Sequence, residues 1–323
     1  MERTEPSSAF AVRLHNFTDE MLFYAPGIVR YQTGEFSPEN LESFIPVSLT
    51  GAQCALHCDH CQGKLLRSMH AVDSPDSLWN LCSQAVKRGT RGILISGGCD
   101  PAGKVPISPF SQVLRRISRE LNLKMVVHTG LIDEESAAGL KEVGVKAAML
   151  DIIGSAETVK AVYHLPSGIE AYERSLEMLA RHGVPTVPHV VLGLHYGKIV
   201  GEDNALEMIA RHPVAALVLV VISPLDGTAM SGVEPPPPDD IRRLFEKARR
   251  LLPETPVILG CARPMGPARV VIDSLAVDCG LNGIAYPAEG IVEYARSKGL
   301  APLFYEECCS LAYTQIRHKE PRH

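Results

Sequence analysis

Clusters of lysine and arginine are missing from this chain. Its net charge is -5 and its basic residues are scattered, so nothing in it favours DNA, RNA or an anionic membrane surface as a partner. Also missing is any apolar run long enough to span a bilayer. The stretch from Met1 to Phe10 carries charges of both signs and no apolar core segment, so it does not read as a secretory signal. The expectation is a soluble, cytoplasmic protein. The nine cysteines are an odd number with no export signal, which argues for reduced thiols and metal ligation rather than a disulfide framework. Strong internal repeats are absent, and low complexity is confined to the run Pro235 to Pro238, a stiff surface connector.

What is present is a rhythm. With 46% of its residues apolar, the chain can bury a large core. Residues 1–45 are broken by Pro6, Pro26, Gly27, Gly34 and Pro38 and read as an irregular extension packed on the main domain. From Pro46 onward, amphipathic segments that end at Gly or Pro alternate with apolar, branched runs, the pattern of βα units on a parallel sheet. The runs are Val47–Leu49, Gly92–Ser96, Lys124–His128, Lys146–Ile152, Thr186–Leu192, Ala215–Ile222, Pro256–Leu259 and Asn282–Ala285. Ser74 followed by Pro75 predicts one helix start, and Asp133 predicts another. About eight such units predict an α/β fold, a TIM-type (β/α)8 barrel over residues 46–298, with its reactive groups on the loops after the strands. The alternative is a partial, six-unit barrel. Residues 299–323 form a tail expected to fold over the barrel mouth.

The most informative stretch follows the first run. In Ser48-Leu49-Thr50-Gly51-Ala52-Gln53-Cys54-Ala55-Leu56-His57-Cys58-Asp59-His60-Cys61 three thiols are separated by three and then two residues. They can converge on one metal centre at the end of a strand. A four-iron cluster takes four thiolates, so three leave one iron open to a ligand from outside the protein. A zinc site completed by His57 or His60 is the alternative, but no second ligand pair follows at finger spacing. Barrel topology sorts the other cysteines. Cys99 and Cys261 follow predicted strands and emerge on the same face as the Cys54 loop, where a second metal centre can form. Cys82 lies on an apolar helix stripe and Cys279 at a helix end on the opposite face, as buried small hydrophobes do. Cys308 and Cys309 lie in the tail, and with Cys99 and Cys261 they are candidates for a second iron–sulfur site.

The spacing of Cys54, Cys58 and Cys61 resembles that of the radical S-adenosylmethionine (SAM) superfamily. Membership implies a SAM-binding 4Fe-4S cluster whose open iron chelates SAM, and cleavage of SAM to a 5′-deoxyadenosyl radical. Gly97-Gly98-Cys99-Asp100 occupies the place of the family's Gly-Gly-Glu motif, with Cys99 in place of the Glu. Ser223-Pro224-Leu225-Asp226-Gly227-Thr228 is similar to the loop that lies along the adenine and ribose in biotin synthase and lipoyl synthase. The resemblance therefore implies cofactor contacts at Gly97, Gly98, Asp100, Asp151, Gly193, Pro224, Gly227 and Thr228. Arg263, with Arg269, is a candidate for the SAM carboxylate or a cluster, or else an outward, salt-bridged arginine. Within the superfamily, the Cys54 motif together with Gly98-Cys99-Asp100, Gly260-Cys261-Ala262-Arg263-Pro264 and Cys308-Cys309 resembles the two-protein lipoyl synthases. That likeness implies a sulfurtransferase with a second, auxiliary 4Fe-4S cluster. It also implies a second radical SAM subunit, an octanoylated lipoyl-carrier protein as substrate and an electron donor such as ferredoxin. A biotin-synthase-like enzyme acting on a small molecule is the alternative.

Overall fold

Among the described residues eleven strands join one sheet, and every strand pairing in it is parallel. The computed structural model describes residues 7–27 and 30–319. In chain order the strands are β1 (Glu20–Tyr24), β2 (Phe44–Ser48), β3 (His70–Ala71), β4 (Gly92–Ser96), β5 (Lys124–His128), β6 (Ala147–Asp151), β7 (Thr186–Leu192), β8 (Leu217–Val221), β9 (Val257–Leu259), β10 (Gly283–Ala285) and β11 (Ala301–Tyr305). The helices are α1 (Ser8–Asn16), α2 (Pro75–Lys87), α3 (Ser111–Glu120), α4 (Glu134–Val143), α5 (Ala156–Val162), α6 (Glu170–Arg181), α7 (Glu202–Ala210), α8 (Pro238–Leu251), α9 (Pro267–Asp278) and α10 (Ile291–Ser297). The spatial order is β11-β1-β10-β9-β8-β7-β6-β5-β4-β2-β3. The sheet curls into a half-barrel of the TIM type.

Local chemistry explains the units. Parallel strands are covered on both faces, so they read as continuous apolar runs; β8 is Leu-Val-Leu-Val-Val and all five residues are buried. The Ser74 hydroxyl accepts from the Ser77 amide at the start of α2, Pro75 occupies the first turn, and Leu78, Cys82 and Ala85 face the core. Asp133 caps α4 in the same way, and Gly144 ends that helix at φ 76°.

Two expectations fail. The first 45 residues are not irregular: they contain α1 and β1, and β1 is inserted between β10 and β11, with Leu22 level with Gly283 on one side and Leu303 on the other. β10 therefore pairs with β1 instead of closing onto β2. The stretches 1–6 and 320–323 at the two ends lie outside the described residues.

The tail does not cover the mouth. It crosses the opposite, amino-terminal end of the barrel. Ser43 Oγ, just before β2, donates to the Glu306 carbonyl at 2.8 Å. Arg91, just before β4, pairs with Glu306 at 3.2 Å, and Lys124, the first residue of β5, pairs with Glu307 at 2.5 Å. Tyr313 donates to the carbonyl of Lys146, just before β6, at 2.5 Å. The reason is stagger: tilted strands in a curled sheet shift along one another, so the carboxyl end of β11 arrives beside the amino end of β2. The 3-10 turn Cys309–Thr314 then enters the barrel from below, with Ser310, Leu311 and Ala312 buried.

If β1 is an integral strand, Leu22→Ala should cost about 2–5 kcal/mol, as for any large-to-small change in a packed core. Denaturant unfolding checks this. A loss under about 0.5 kcal/mol, the usual surface value, would return the segment to a peripheral role.

Candidate metal centre

The loop after β2 is held by its own backbone and by the loop after β4. Thr50 Oγ1 donates to the Gln53 carbonyl at 2.8 Å and accepts from the Gly98 amide at 2.7 Å. The Ala55 amide donates to the Cys99 carbonyl at 2.8 Å. A Cβ on Gly98 would lie 1.9 Å from the Gln53 carbonyl oxygen and 2.5 Å from Cys54 Cα, so only glycine permits this approach.

The three thiols of the motif gather here. Cys58 is buried, while Cys54 and Cys61 are half-buried. Burial and the neighbouring Cys61, Cys54 and Cys99 push the Cys58 thiol up, and burial does the same to Cys61. Crowded, desolvated thiols that resist deprotonation are the donor set a cationic cluster relieves. Among the described residues no three His, Cys, Asp or Glu side chains come close enough to hold a single metal ion. The motif supplies three thiols, the number that leaves one iron of a four-iron cluster open.

Below these thiols lies a polar layer. His128 ends β5, Asp151 ends β6 and His189 lies within β7, so adjacent strands carry their side chains into the barrel. His128 Nε2 stands 3.6 Å from Asp151 Oδ1, and the Tyr163 hydroxyl donates to Asp151 Oδ2 at 3.0 Å. The His128 and His189 rings are 5.7 Å apart. Burial pushes the Asp151 carboxyl up, but His128, His189 and His60 outweigh it and hold the group below the usual carboxylate range. His189 falls to about 4, from burial and the neighbouring His128. His60 is half-buried beside Tyr163 with its Nδ1 enclosed and unpartnered, and burial lowers its pKa.

Cys261, Cys308 and Cys309 form a separate group. Cys308 and Cys309 are buried and Cys261 is exposed as a residue; surrounding protein and Cys308 push the Cys261 thiol up, and a hydrogen bond from Cys309 pulls Cys308 down. Cys99 does not join them. Its thiol is raised to about 12 by burial, then by Cys54 and Asp151, which puts it with the motif cysteines. The expected grouping of Cys99 with Cys261 and the tail is thus corrected: the approach of Gly98 to Cys54 carries Cys99 to the first group. His128 feels Cys308, whereas Asp151 influences Cys61 and Cys99. Cys82 and Cys279 are fully buried away from both, each raised to about 12 by burial.

The remaining expected residues are placed as follows. Gly97 lies against Thr50, 3.3 Å from where its Cβ would be. Asp100 Oδ1 accepts from the Ala102 and Lys104 amides at 2.9 Å, shaping its own loop. The Gly193 amide donates to Glu202 Oε1 at 2.8 Å. In the loop holding Pro224, Gly227 and Thr228, the Thr228 hydroxyl donates to the Leu225 carbonyl at 2.8 Å. Lys64, just past the cysteine motif, donates to the Asp226 carbonyl. Arg263 is fully buried, with Nε 2.5 Å from Asp273 Oδ1 and further bonds to the Gly260 and Tyr286 carbonyls. Its donors are taken up inside the protein rather than presented at the mouth. Arg269 donates to the Tyr286 carbonyl as well.

His128, His189 and Tyr163 were not singled out from the sequence. The signal was available for two of them: a histidine in or ending an otherwise apolar barrel strand is where site residues lie.

The half-barrel is similar to those of known structures. It aligns with methylornithine synthase (PylB) at TM-score 0.60 and 13% identity, covering 91% of this chain and 87% of that one. With the FeFe-hydrogenase maturase HydG from Carboxydothermus hydrogenoformans the TM-score is 0.63 at 15% identity, over 91% and 70%. With Streptococcus suis SuiB it is 0.53 at 14%, over 72% and 51%. No curated protein matches the sequence. The fold and the thiol trio define a parallel half-barrel that presents three cysteines on the loop at the carboxyl end of β2. Residues 48–212 match the Radical SAM superfamily, and the chain belongs to it.

Gly98→Val should displace the Cys54 backbone and lower the iron retained after reconstitution severalfold, with a smaller effect on global stability. Iron analysis beside thermal unfolding checks this, and full iron retention would show that the close approach does not shape the cluster site.

Proposed function

We propose that this chain is a sulfur-inserting radical SAM enzyme, one subunit of a two-protein lipoyl synthase acting on an octanoyl group carried on a lysine of a carrier protein. The supporting observation is the pair of separate thiol groups, Cys54, Cys58 and Cys61 in one and Cys261, Cys308 and Cys309 in the other. The motif likeness supports the substrate class. A second radical SAM subunit, a ferredoxin-type electron donor and a cytoplasmic setting belong to the same reading; among the described residues no helix is long and apolar enough to cross a membrane.

Cys54, Cys58 and Cys61 would hold the 4Fe-4S cluster, and Gly97, Gly98, Asp151, Gly193 and the loop 223–228 would lie along SAM. Cys261 with Cys308 or Cys309 would hold an auxiliary 4Fe-4S cluster. When bound, these groups supply hydrogen abstraction and a sulfur atom. The chain's own part is position and dryness. The tail seals the amino-terminal end of the barrel, with Leu311 and Ala312 buried, which keeps water from the interior. Asp151 stays ionised between His128 and Tyr163 and offers a fixed acceptor for donor groups of a bound cofactor. Arg263 and Asp273 brace the exit of β9, next to Cys261.

A second reading has its own support. The polar layer of His128, Asp151, His189 and Tyr163 suits a hydrogen-bonding small molecule better than an alkyl chain.

Anaerobic reconstitution with iron counting, followed by incubation with an octanoylated carrier domain, separates the readings. The wild type should hold iron for two clusters and add sulfur to the carrier, seen by mass. A Cys261→Ala, Cys308→Ala double variant should lose about one cluster and sulfur transfer while still cleaving SAM. One cluster per wild-type chain, with SAM cleavage intact, would move the reading to hydrogen abstraction from a small molecule.

A further inference from the structure

One polar side chain within the cysteine motif has no part in the chemistry described above. Asp59 lies between Cys58 and Cys61, and its side chain is 19% exposed. Its backbone amide donates to the Val162 carbonyl, at the end of α5, at 3.0 Å. Oδ1 meets His164 Nε2 at 3.0 Å, and Oδ2 accepts from the Tyr196 hydroxyl at 2.5 Å. One residue of the cluster loop is thus tied to the segment after β6 and to the exit loop of β7.

The backbone strain follows the same contacts. His164 has φ 58° and Tyr196 φ 50°, left-handed values that cost a non-glycine residue free energy, and His57 in the cysteine loop has φ 46°. Such conformations persist where surrounding contacts over-determine them. The exit loop of β7 is anchored from behind by the buried Glu202, which accepts from the Gly193 amide at 2.8 Å and the Val200 amide at 2.7 Å. Tyr196 is therefore a fixed post to which the cluster loop is tied.

We infer that Asp59 is a positioning residue: it locks the cluster loop to the end of α5 and to the exit loop of β7, so that the cluster ligands and these two segments keep one geometry. The carboxylate has a second effect. A fixed negative charge beside a cluster favours its oxidised form, because net charge and hydrogen bonding set the potential of such centres.

Three variants test this: Asp59→Ala, Asp59→Asn and the double variant Tyr196→Phe, His164→Ala. In the cluster-free protein, Asp59→Ala and the double variant should speed amide hydrogen exchange of residues 54–63 and 193–197 by about tenfold, the scale of losing a charge-assisted hydrogen bond. Exchange in α8 should not change, and Asp59→Asn should restore most of the protection. In the reconstituted protein, both Asp59 variants should raise the midpoint potential of the SAM cluster, including Asp59→Asn, in which the loop is held but the charge is gone. Exchange unaffected in Asp59→Ala and in the double variant would overturn the inference. So would exchange rising equally in α8, which would indicate general loosening, or a potential that stays at the wild-type value in both Asp59 variants.

Discussion

The carboxyl face of this protein depends on how closely the loop after β4 can approach the loop after β2. The absent Cβ of Gly98 allows the two backbones to touch, and from that contact follow the seat of Cys54, the hydrogen bond from Ala55 to Cys99 and the collection of Cys54, Cys58, Cys61 and Cys99 in one place. Buried thiols beside other thiols stay protonated, and a positively charged centre sharing the site would draw their protons off.

The opposite end of the barrel is built around buried arginines. Arg13 on α1 donates to the Glu20 carbonyl at 2.5 Å and the Thr18 carbonyl at 3.1 Å, and is lowered to about 10 by burial. Arg249 on α8 donates to Asn282 Oδ1 at 2.7 Å and lies over the Phe17 ring, 5.1 Å from its centre. Burial lowers it to about 9. A buried cation is tolerated only where carbonyls and rings replace its water. These contacts bind α1 and β1 to α8 and β10, and they make the first residues of the chain part of the barrel wall. The tail completes that wall through surface ion pairs, each worth little alone, and through the burial of Leu311 and Ala312.

Between the two ends, the interior is graded by chemistry. The motif thiols lie at the carboxyl side beside a histidine–carboxylate layer, and the tail carries Cys308 and Cys309 in from below to meet Cys261 at the exit of β9. Asp151 is half-buried yet held below the usual carboxylate range, because histidines on two neighbouring strands and one in the cysteine loop surround it. Such a layer restricts what can occupy the space beside the motif thiols, since any guest must satisfy or displace its hydrogen bonds.

Much of this was legible in the residues alone. The runs Gly92–Ser96, Lys124–His128 and Thr186–Leu192 are strands with those bounds, because continuous apolar segments between glycine and proline breaks have no other stable use in a chain of βα units. The caps at Ser74 and Asp133 and the thiol spacing of 54, 58 and 61 were equally plain, since each is set by local geometry over a few residues. β1 was hidden because a lone five-residue strand with four apolar residues, close to Pro26 and Gly27, has no sequence neighbour to pair with; its partners are about 260 and 280 residues away along the chain, a separation no local pattern encodes. The position of the tail was hidden for a different reason. Strand stagger accumulates around a curled sheet and decides which end of the barrel the last strand reaches. The company Cys99 keeps was likewise decided by a backbone contact, Gly98 against Cys54. The order of the elements therefore follows from local pattern, while which thiols meet, and at which end the barrel is sealed, follows from tilt and close packing that exist only once the sheet has formed.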